Sequence, residues 1–326
     1  MNAEKPPSPT LSESPSYVYR PAEKLRLLLP CLRQKIQPRR NLFAGPFAGE
    51  FGNELMQWQG FVRARRSHYE SVHVLTYPGR DYLYEGCQVH HHDINLKQAG
   101  YGYGRLTPAG AQAMARAKAA EIGLQDYDIF EPSLLCSQHH KKLFWRQEFK
   151  VFQEPPLTPE VRDIAFHFRA LKKEGPDNTR NYLPTQAEKL VQLCREHGFT
   201  MICIGHPDYS ICPAGVEDFR SVDLRRTIAA ISSVRVISGE ISGPLHLANL
   251  CGQPTVFFAD GQWRISYCRR WNPFQVPQYV AADDTMQPAP ERVFQALVGA
   301  LQDLRQRTEN FSKPCYTLPA QPIANF

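Results

Sequence analysis

The chain has 326 residues, 42% hydrophobic and 21% charged, which suits a globular protein with enough apolar material for two ordinary domains, each with its own core. Its 38 Lys and Arg against 32 Asp and Glu leave a formal charge of +6, which favours anionic ligands but is too diffuse to specify nucleic acid, and no nucleic-acid-binding motif is present. No run approaches the ~18 apolar residues of a membrane span, and nine cysteines without CxxC spacing argue for a reduced, cytoplasmic protein and against zinc or a disulfide framework.

The opening Met1 to Pro9 is rich in Pro and Ser, partly acidic and unlike a secretory leader, so residues 1 to about 18 are expected to be disordered. Tyr19 to Arg40 carries Arg20, Lys24, Arg26, Arg33, Lys35, Arg39 and Arg40 around Leu25-Arg26-Leu27-Leu28-Leu29. Such a basic stretch can rest peripherally on an anionic membrane face, but Pro30 interrupts it, which better fits a solvated linker or a segment packed on the body. Residues 1–40 form this N-terminal segment.

A first domain, residues 41–154, opens with Asn41-Leu42-Phe43-Ala44-Gly45, a strand running into a glycine-rich turn. Leu55 to Arg66 reads as a helix and Ser71 to Tyr77 as a strand stopped by Pro78-Gly79. Ala109 to Ile122 is a helix with Thr107 as cap, Pro108 in its first turn and Gly123 as its stop. Prolines at 155, 156 and 159 within Phe152 to Pro159 discourage regular structure and mark the linker.

The second domain, residues 155–290, resumes with a strand over Asp163 to Phe168, a helix over Thr185 to His197 closed by Gly198, and a strand over Thr200 to Ile204 ending at Gly205. Asp223 to Ser232 is a helix leading into a buried strand, Val234 to Ile237, after which Ser238 and Gly239 predict a sharp turn. Ser242-Gly243-Pro244 opens the next helix, with Ser242 placed to cap it and Pro244 tolerated in its first turn. Gly252 closes it, and Pro254 to Phe258 is a parallel strand. Glu291 to Arg307, within a final segment of residues 291–326, is a last amphipathic helix. Alternating strands and helices predict an α/β fold, and a helix start facing strand carboxyl ends offers N–H groups and a positive dipole end to a phosphate.

The pattern Ser-Gly-Pro-x-His-Leu-Ala-x-x-x-Gly-x-Pro-Thr-Val, from Ser242 to Val256, resembles the donor-binding unit of GT-B glycosyltransferases of the heptosyltransferase kind, glycosyltransferase family 9. The resemblance covers roughly the C-terminal half of the chain; before it, only the Gly-x-x-Gly-Glu-Phe-Gly-x-Glu-Leu loop near Gly49 and Gly52 is suggestive. It implies two Rossmann-like domains facing a cleft. It also implies a last helix that returns to the first domain, and transfer of a sugar from a nucleotide-diphosphate donor to a hydroxyl of a glycan or glycolipid acceptor, with inversion. An ordinary capped βαβ unit without a ligand is the alternative for the Ser242 stretch.

On this resemblance Ser242, Gly243, Pro244 and His246 hold the donor diphosphate. Arg169 ends the first strand of the second domain and can grip phosphate with two parallel hydrogen bonds, and Arg180 in the following loop is a second candidate. Gly205 and His206 could line the nucleoside pocket. In the first domain Gly49, Gly52 and Asn53 lie where an acceptor would approach, and a carboxylate must take the acceptor proton. Glu50 is the first candidate and Glu54 the second; the family pattern has Asp there, and a helix-start carboxylate is the alternative for each. Backbone N–H groups and arginines can carry the leaving-group charge, so no metal or other cofactor is expected.

Trp263, Arg264, Tyr267, Arg269, Arg270 and Trp271 to Phe274 form an aromatic and basic cluster that could stack on a base or merely pack the rim. His90-His91-His92-Asp93 invites a metal reading, but successive residues of an extended chain point to opposite faces, so a polar strand end fits better; His139-His140 is read the same way. An inactive nucleotide-sugar-binding homologue and a nucleotide-sugar epimerase on the same scaffold remain alternatives, whereas the lack of a Gly-x-Gly-x-x-Gly turn argues against a dehydrogenase.

Overall fold

The computed structural model describes residues 32–34, 36–94, 108–132, 146–170 and 180–310. The chain divides into two compact units, Met1–Pro38 and Arg39–Phe326. In the first, residues 32–34 and 36 are helical. The predicted disordered tail, the basic stretch up to Cys31, the Thr107 cap and the His139-His140 pair lie outside the described residues.

The second unit contains two separate sheets. Strands β1 (Asn41–Ala44), β2 (Ser71–Thr76), β3 (Gln88–His91) and β4 (Tyr127–Phe130) form a parallel sheet in the order β3-β2-β1-β4. Helix α1 links β1 to β2 and has three parts: Phe51–Asn53, a wider π-helical turn over Glu54–Trp58, and Gln59–Arg65. It begins four residues before the predicted Leu55. Trp58 is fully buried between Phe47 and Phe130, at ring centroid separations of 5.9 and 4.8 Å, and the Arg65 guanidinium lies 4.0 Å over Phe130. Helix α2 (Pro108–Glu121) packs Ala115 and Ala119 under Phe43 and Leu75 on the other face of the sheet.

The prolines of the linker lie between β4 and the next strand, in a stretch without regular structure. Then come β5 (Arg162–Arg169), α3 (Pro184–Glu196), β6 (Met201–Cys203), β7 (Ser210–Ile211), β8 (Glu217–Asp218), α4 (Leu224–Ser232), β9 (Val234–Glu240), α5 (Gly243–Leu250), β10 (Thr255–Ala259), α6 (Gln262–Arg270), β11 (Gln278–Ala282) and α7 (Pro290–Asn310). The path β11-β10-β9-β5-β6-β8 is parallel throughout, and β7 joins β5 antiparallel. Counted from β5, this is the doubly wound order in which the chain reverses between its first and fourth strands. The crevice at the carboxyl ends of β5 and β9 lies where open sheets of this order generally bind ligands.

Local chemistry accounts for most element boundaries. Strand β5 is buried on both faces: Ile164, Phe166 and Phe168 pack with Leu190 and Val191 of α3 and with Val293 and Leu297 of α7, while Ala165 and His167 point the other way. Burying each such large apolar side chain contributes about 2 kcal/mol, so this layer dominates the stability of the second sheet. Asp223 caps α4 by accepting from the Arg225 N–H at 2.8 Å.

Three expectations need correction. Ser238 and Gly239 do not turn: β9 continues to Glu240 because both residues are paired between β5 and β10. Gly239 is instead a packing glycine, since a Cβ there would lie 2.4 Å from the His167 carbonyl oxygen. Ser242 occupies the cap position of α5, but its side chain makes no capping hydrogen bond. Helix α7 does not return to the first domain: its apolar stripe of Val293, Leu297, Ala300 and Leu301 covers the second sheet beside α3. Among the described residues, no helix is long and apolar enough to cross a membrane.

Candidate functional site

The crevice floor is built where β5 and β9 end. Glu240 is fully buried, accepting from the Tyr182 N–H at 3.0 Å and from the Arg169 N–H at 3.1 and 3.3 Å. Burial pushes its carboxyl up to about 8, against the lowering effect of those N–H groups and of Arg169. Arg169 is itself buried; burial first, then the neighbouring Arg180, bring its guanidinium down to about 10, while Glu240 and Glu50 oppose the shift. Arg180 donates from Nη2 to the Ile241 carbonyl, and its buried Nε has no hydrogen-bond partner among the described residues. Two guanidinium groups therefore share one crevice beside the start of α5. There the Ser242 Oγ is also buried without a partner among the described residues. These orphaned donors suit an anion.

His246 projects from the first turns of α5 and is buried against Trp271, at 4.7 Å between ring centroids, with Tyr267 further along at 6.3 Å. Burial and the nearby Arg180 depress its imidazole to about 3, so it is neutral. Tyr267 and Trp271 pack on each other with tilted rings at 4.7 Å, so the aromatic part of the predicted cluster forms a wall along α5. Arg264 pairs with Asp260 at 3.4 Å, Phe274 is buried, and Arg269 and Arg270 are exposed. The Trp263 side chain lies outside the described residues.

The first domain contributes the loop after β1. Gly45 is required there: at φ 117° its Cβ would lie 2.4 Å from the Leu75 carbonyl oxygen. Gly49 is buried, and Glu50 is half-buried in extended conformation just before α1. Asn53 donates to the Glu50 Oε2 at 3.3 Å and accepts from Gln57 at 3.0 Å, which holds the carboxylate in place. The Glu50 charge raises the pKa of both Arg169 and Tyr267, so it lies within electrostatic reach of the second domain's crevice.

Glu54 is placed differently. It is fully buried, accepting from Thr76 Oγ1 at 2.5 Å and Tyr84 OH at 2.7 Å, with Arg80 Nε 3.8 Å from its other oxygen. Its first oxygen is committed to the protein interior. Arg80 in turn lies 3.8 Å over the Phe51 ring.

Phe51 and Gly52 join the two halves of the site. A Cβ at Gly243 would meet the Phe51 ring at 2.5 Å, and one at Gly52 would meet the His246 ring at 3.3 Å. Glycines on both sides thus let the loop after β1 close directly onto the start of α5, with Pro244 in the same first turn. Near by, the chain connects across as well: the Phe152 N–H donates to the Leu250 carbonyl at 2.9 Å, and Glu154 lies 3.8 Å from Arg225.

Gly205 and His206 serve local structure. Gly205 adopts φ 118° with the His167 ring where its Cβ would be, and His206 Nδ1 accepts from the Asp208 N–H at 3.1 Å while its ring packs on Tyr209. The His90 to His92 run diverges as alternation requires. His90 meets His73 at 3.1 Å, His91 meets Asp81 at 3.1 Å, and His92 bonds the Phe47 carbonyl at 2.8 Å. Among the described residues, no group of three or more His, Cys, Asp or Glu could hold a metal ion. Sequence reasoning missed Glu240, Phe51 and Arg80 as site residues. An acid ending an apolar strand run was the available signal for Glu240; nothing local distinguishes the other two.

No protein-family model matches the chain, and no curated protein matches it. Two solved structures match it along nearly their whole length. A glycosyl transferase family 9 protein from Veillonella parvula aligns with a TM-score of 0.52 at 10% identity, covering 81% of this chain and 97% of that one. The ADP-heptose lps heptosyltransferase II of E. coli aligns with a TM-score of 0.51 at 12% identity, covering 82% of this chain and 99% of that one. The fold is GT-B. In it the two parallel sheets correspond to the paired Rossmann-like domains, and the junction of the Glu50 loop with the start of α5 lies at the cleft of that architecture.

Proposed function

We propose that the chain is a glycosyltransferase that moves a sugar from a nucleotide-diphosphate donor to a hydroxyl of a glycan or glycolipid acceptor. The observation that carries this reading is the meeting of Gly52 with His246 and of Phe51 with Gly243, which brings an acidic loop of one domain onto an anion-ready helix start of the other. The donor diphosphate would lie at the start of α5, where the free N–H groups, the Ser242 hydroxyl and Arg180 converge, with Arg169 in the crevice beside them. Because Phe51 now covers Gly243, the loop must draw back to admit the donor and close again over it.

In the reaction the acceptor hydroxyl attacks the anomeric carbon, Glu50 takes its proton, and the bond to the diphosphate oxygen breaks. Glu50 is preferred to Glu54 because it borders the crevice while Glu54 is buried among Thr76, Tyr84 and Arg80. Charge gathering on the departing nucleoside diphosphate is met by fixed dipoles and two guanidinium groups, which need not reorganise during the step. Attack from the face opposite the leaving group inverts the anomeric carbon, and the reading requires no divalent ion. The depressed His246 leaves a neutral ring against the aromatic wall, suited to packing on the donor and unsuited to binding phosphate as a cation.

The test is a panel of nucleotide sugars followed by thermal unfolding, then nucleoside diphosphate release by the wild type, Glu50→Gln and Arg169→Ala. Stabilisation by one donor class, weakened by Arg169→Ala, with release suppressed about 100-fold or more by Glu50→Gln, is expected. Release should persist in EDTA and give a product of inverted anomeric configuration. Stabilisation without release in the presence of acceptor would support a binding protein instead, and no stabilisation by any donor would refute the assignment of the crevice.

A further inference from the structure

Glu240 has no place in the reaction just described, yet it is a fully buried carboxyl at the point where the doubly wound sheet opens. A buried carboxyl lowers stability unless its lone pairs are used, and here they are used in one particular way. Its Oε1 accepts from the Tyr182 N–H at 3.0 Å, and both oxygens face the Arg169 N–H, at 3.3 Å from Oε1 and 3.1 Å from Oε2. Arg169 is the last residue of β5, and Tyr182 lies just before α3. The carboxyl thus ties together both ends of the connection that carries Arg180. From the same strand end, the Ile241 carbonyl accepts from Arg180 itself. The Tyr182 ring extends the clasp, stacking on Phe168 at 5.6 Å and donating its hydroxyl to the Pro288 carbonyl at 2.9 Å.

We propose that Glu240 is a positioning residue for the donor crevice: by receiving main-chain N–H groups from both ends of the β5–α3 connection, it sets where Arg169 and Arg180 stand toward an anionic donor. This rests on the donor reading above. The Glu240 oxygens accept from the main-chain N–H groups of Arg169 and Tyr182. Substrate would not touch Glu240.

The experiment uses the full chain as wild type, Glu240→Ala and Glu240→Gln. Amide hydrogen exchange is followed at Arg169 and Tyr182, with Val256 and Phe257 of β10 as internal references. Affinities for ADP, GDP, UDP and CDP are measured in parallel. Glu240→Ala should speed exchange at Arg169 and Tyr182 about 10-fold or more while sparing the references, and weaken the bound nucleoside diphosphate by a similar factor. Glu240→Gln, which keeps the shape and one accepting oxygen, should restore both to within about threefold. Unchanged protection at Arg169 and Tyr182 in Glu240→Ala overturns the inference while leaving the donor reading intact. A Glu240→Gln protein as weak as Glu240→Ala also overturns it, because charge and not N–H acceptance would then be at work. Wild type that binds none of the four diphosphates refutes the donor reading, and with it the purpose assigned to Glu240.

Discussion

Replacing Gly243 by alanine tests the contact on which the site depends. The new Cβ would lie 2.5 Å from Cδ1 and 3.3 Å from Cγ of Phe51, whereas carbon atoms in contact prefer about 3.5–4.0 Å. Gly243 is the first residue of α5 and has no positive φ, so alanine suits its backbone and should favour the helix by up to about 1 kcal/mol. Against this stands an overpacking cost of about 1–3 kcal/mol if Phe51 cannot move, since the Arg80 guanidinium also packs on the ring, at 3.8 Å. The net expectation is a loss of about 1 kcal/mol. Removing the ring with Phe51→Ala should abolish the clash. The double variant should therefore be more stable than the two single effects predict, by about 1–2 kcal/mol. Urea unfolding of the four proteins, with unchanged slope, measures this coupling. Additivity within about 0.5 kcal/mol would refute the reasoning, because Phe51 and Gly243 would then not meet in solution.

Glu54→Ala should destabilise by about 3–5 kcal/mol, since it strands the Thr76 and Tyr84 hydroxyls and the Arg80 charge in the interior; denaturant midpoints would show it, and a loss below about 1 kcal/mol would contradict the buried network. Gly45→Ala, which places a Cβ 2.4 Å from the Leu75 carbonyl oxygen at φ 117°, should cost more than about 2 kcal/mol by the same measurement. The depressed His246 and His167, at about 3 and about 4 against 6.5 when unfolded, contribute stability that is present above pH 6.5 and lost as pH falls toward those values. Each adds a slope of up to about 1.4 kcal/mol per pH unit, which His246→Phe should remove for its share. Glu240 acts with opposite sign: raised to about 8, it contributes stability that is full below about 4.5 and lost as pH rises through 8, so Glu240→Gln should gain on the wild type across that window in pH-dependent unfolding.

Much of the α/β alternation was legible because period and punctuation are local. The strand at Asn41, the helix stopped by Gly123, the prolines of the linker and the helix leading into the Val234 strand all follow from a few neighbouring residues. The helix start at Ser242 was legible for the same reason. The sheets' strand order was not, and with it went the recognition that Arg169 and Glu240 end adjacent strands. Ser238-Gly239 misled because a glycine that lets two strands approach looks, in one dimension, like one that lets the chain turn.

The sequence by itself determined many of the alternating strands and helices, the helix start at Ser242, and that cations and an acidic glycine loop are at hand. Only the tertiary structure decided where these side chains stand. It buried Glu54 and left Glu50 at the crevice, used His206 in a turn, set Glu240 beneath Arg169 and Tyr182, and closed Phe51 and Gly52 onto α5. The physical reason is that burial and close approach belong to pairs of residues far apart in the chain, and nothing within either partner's own neighbourhood records the other.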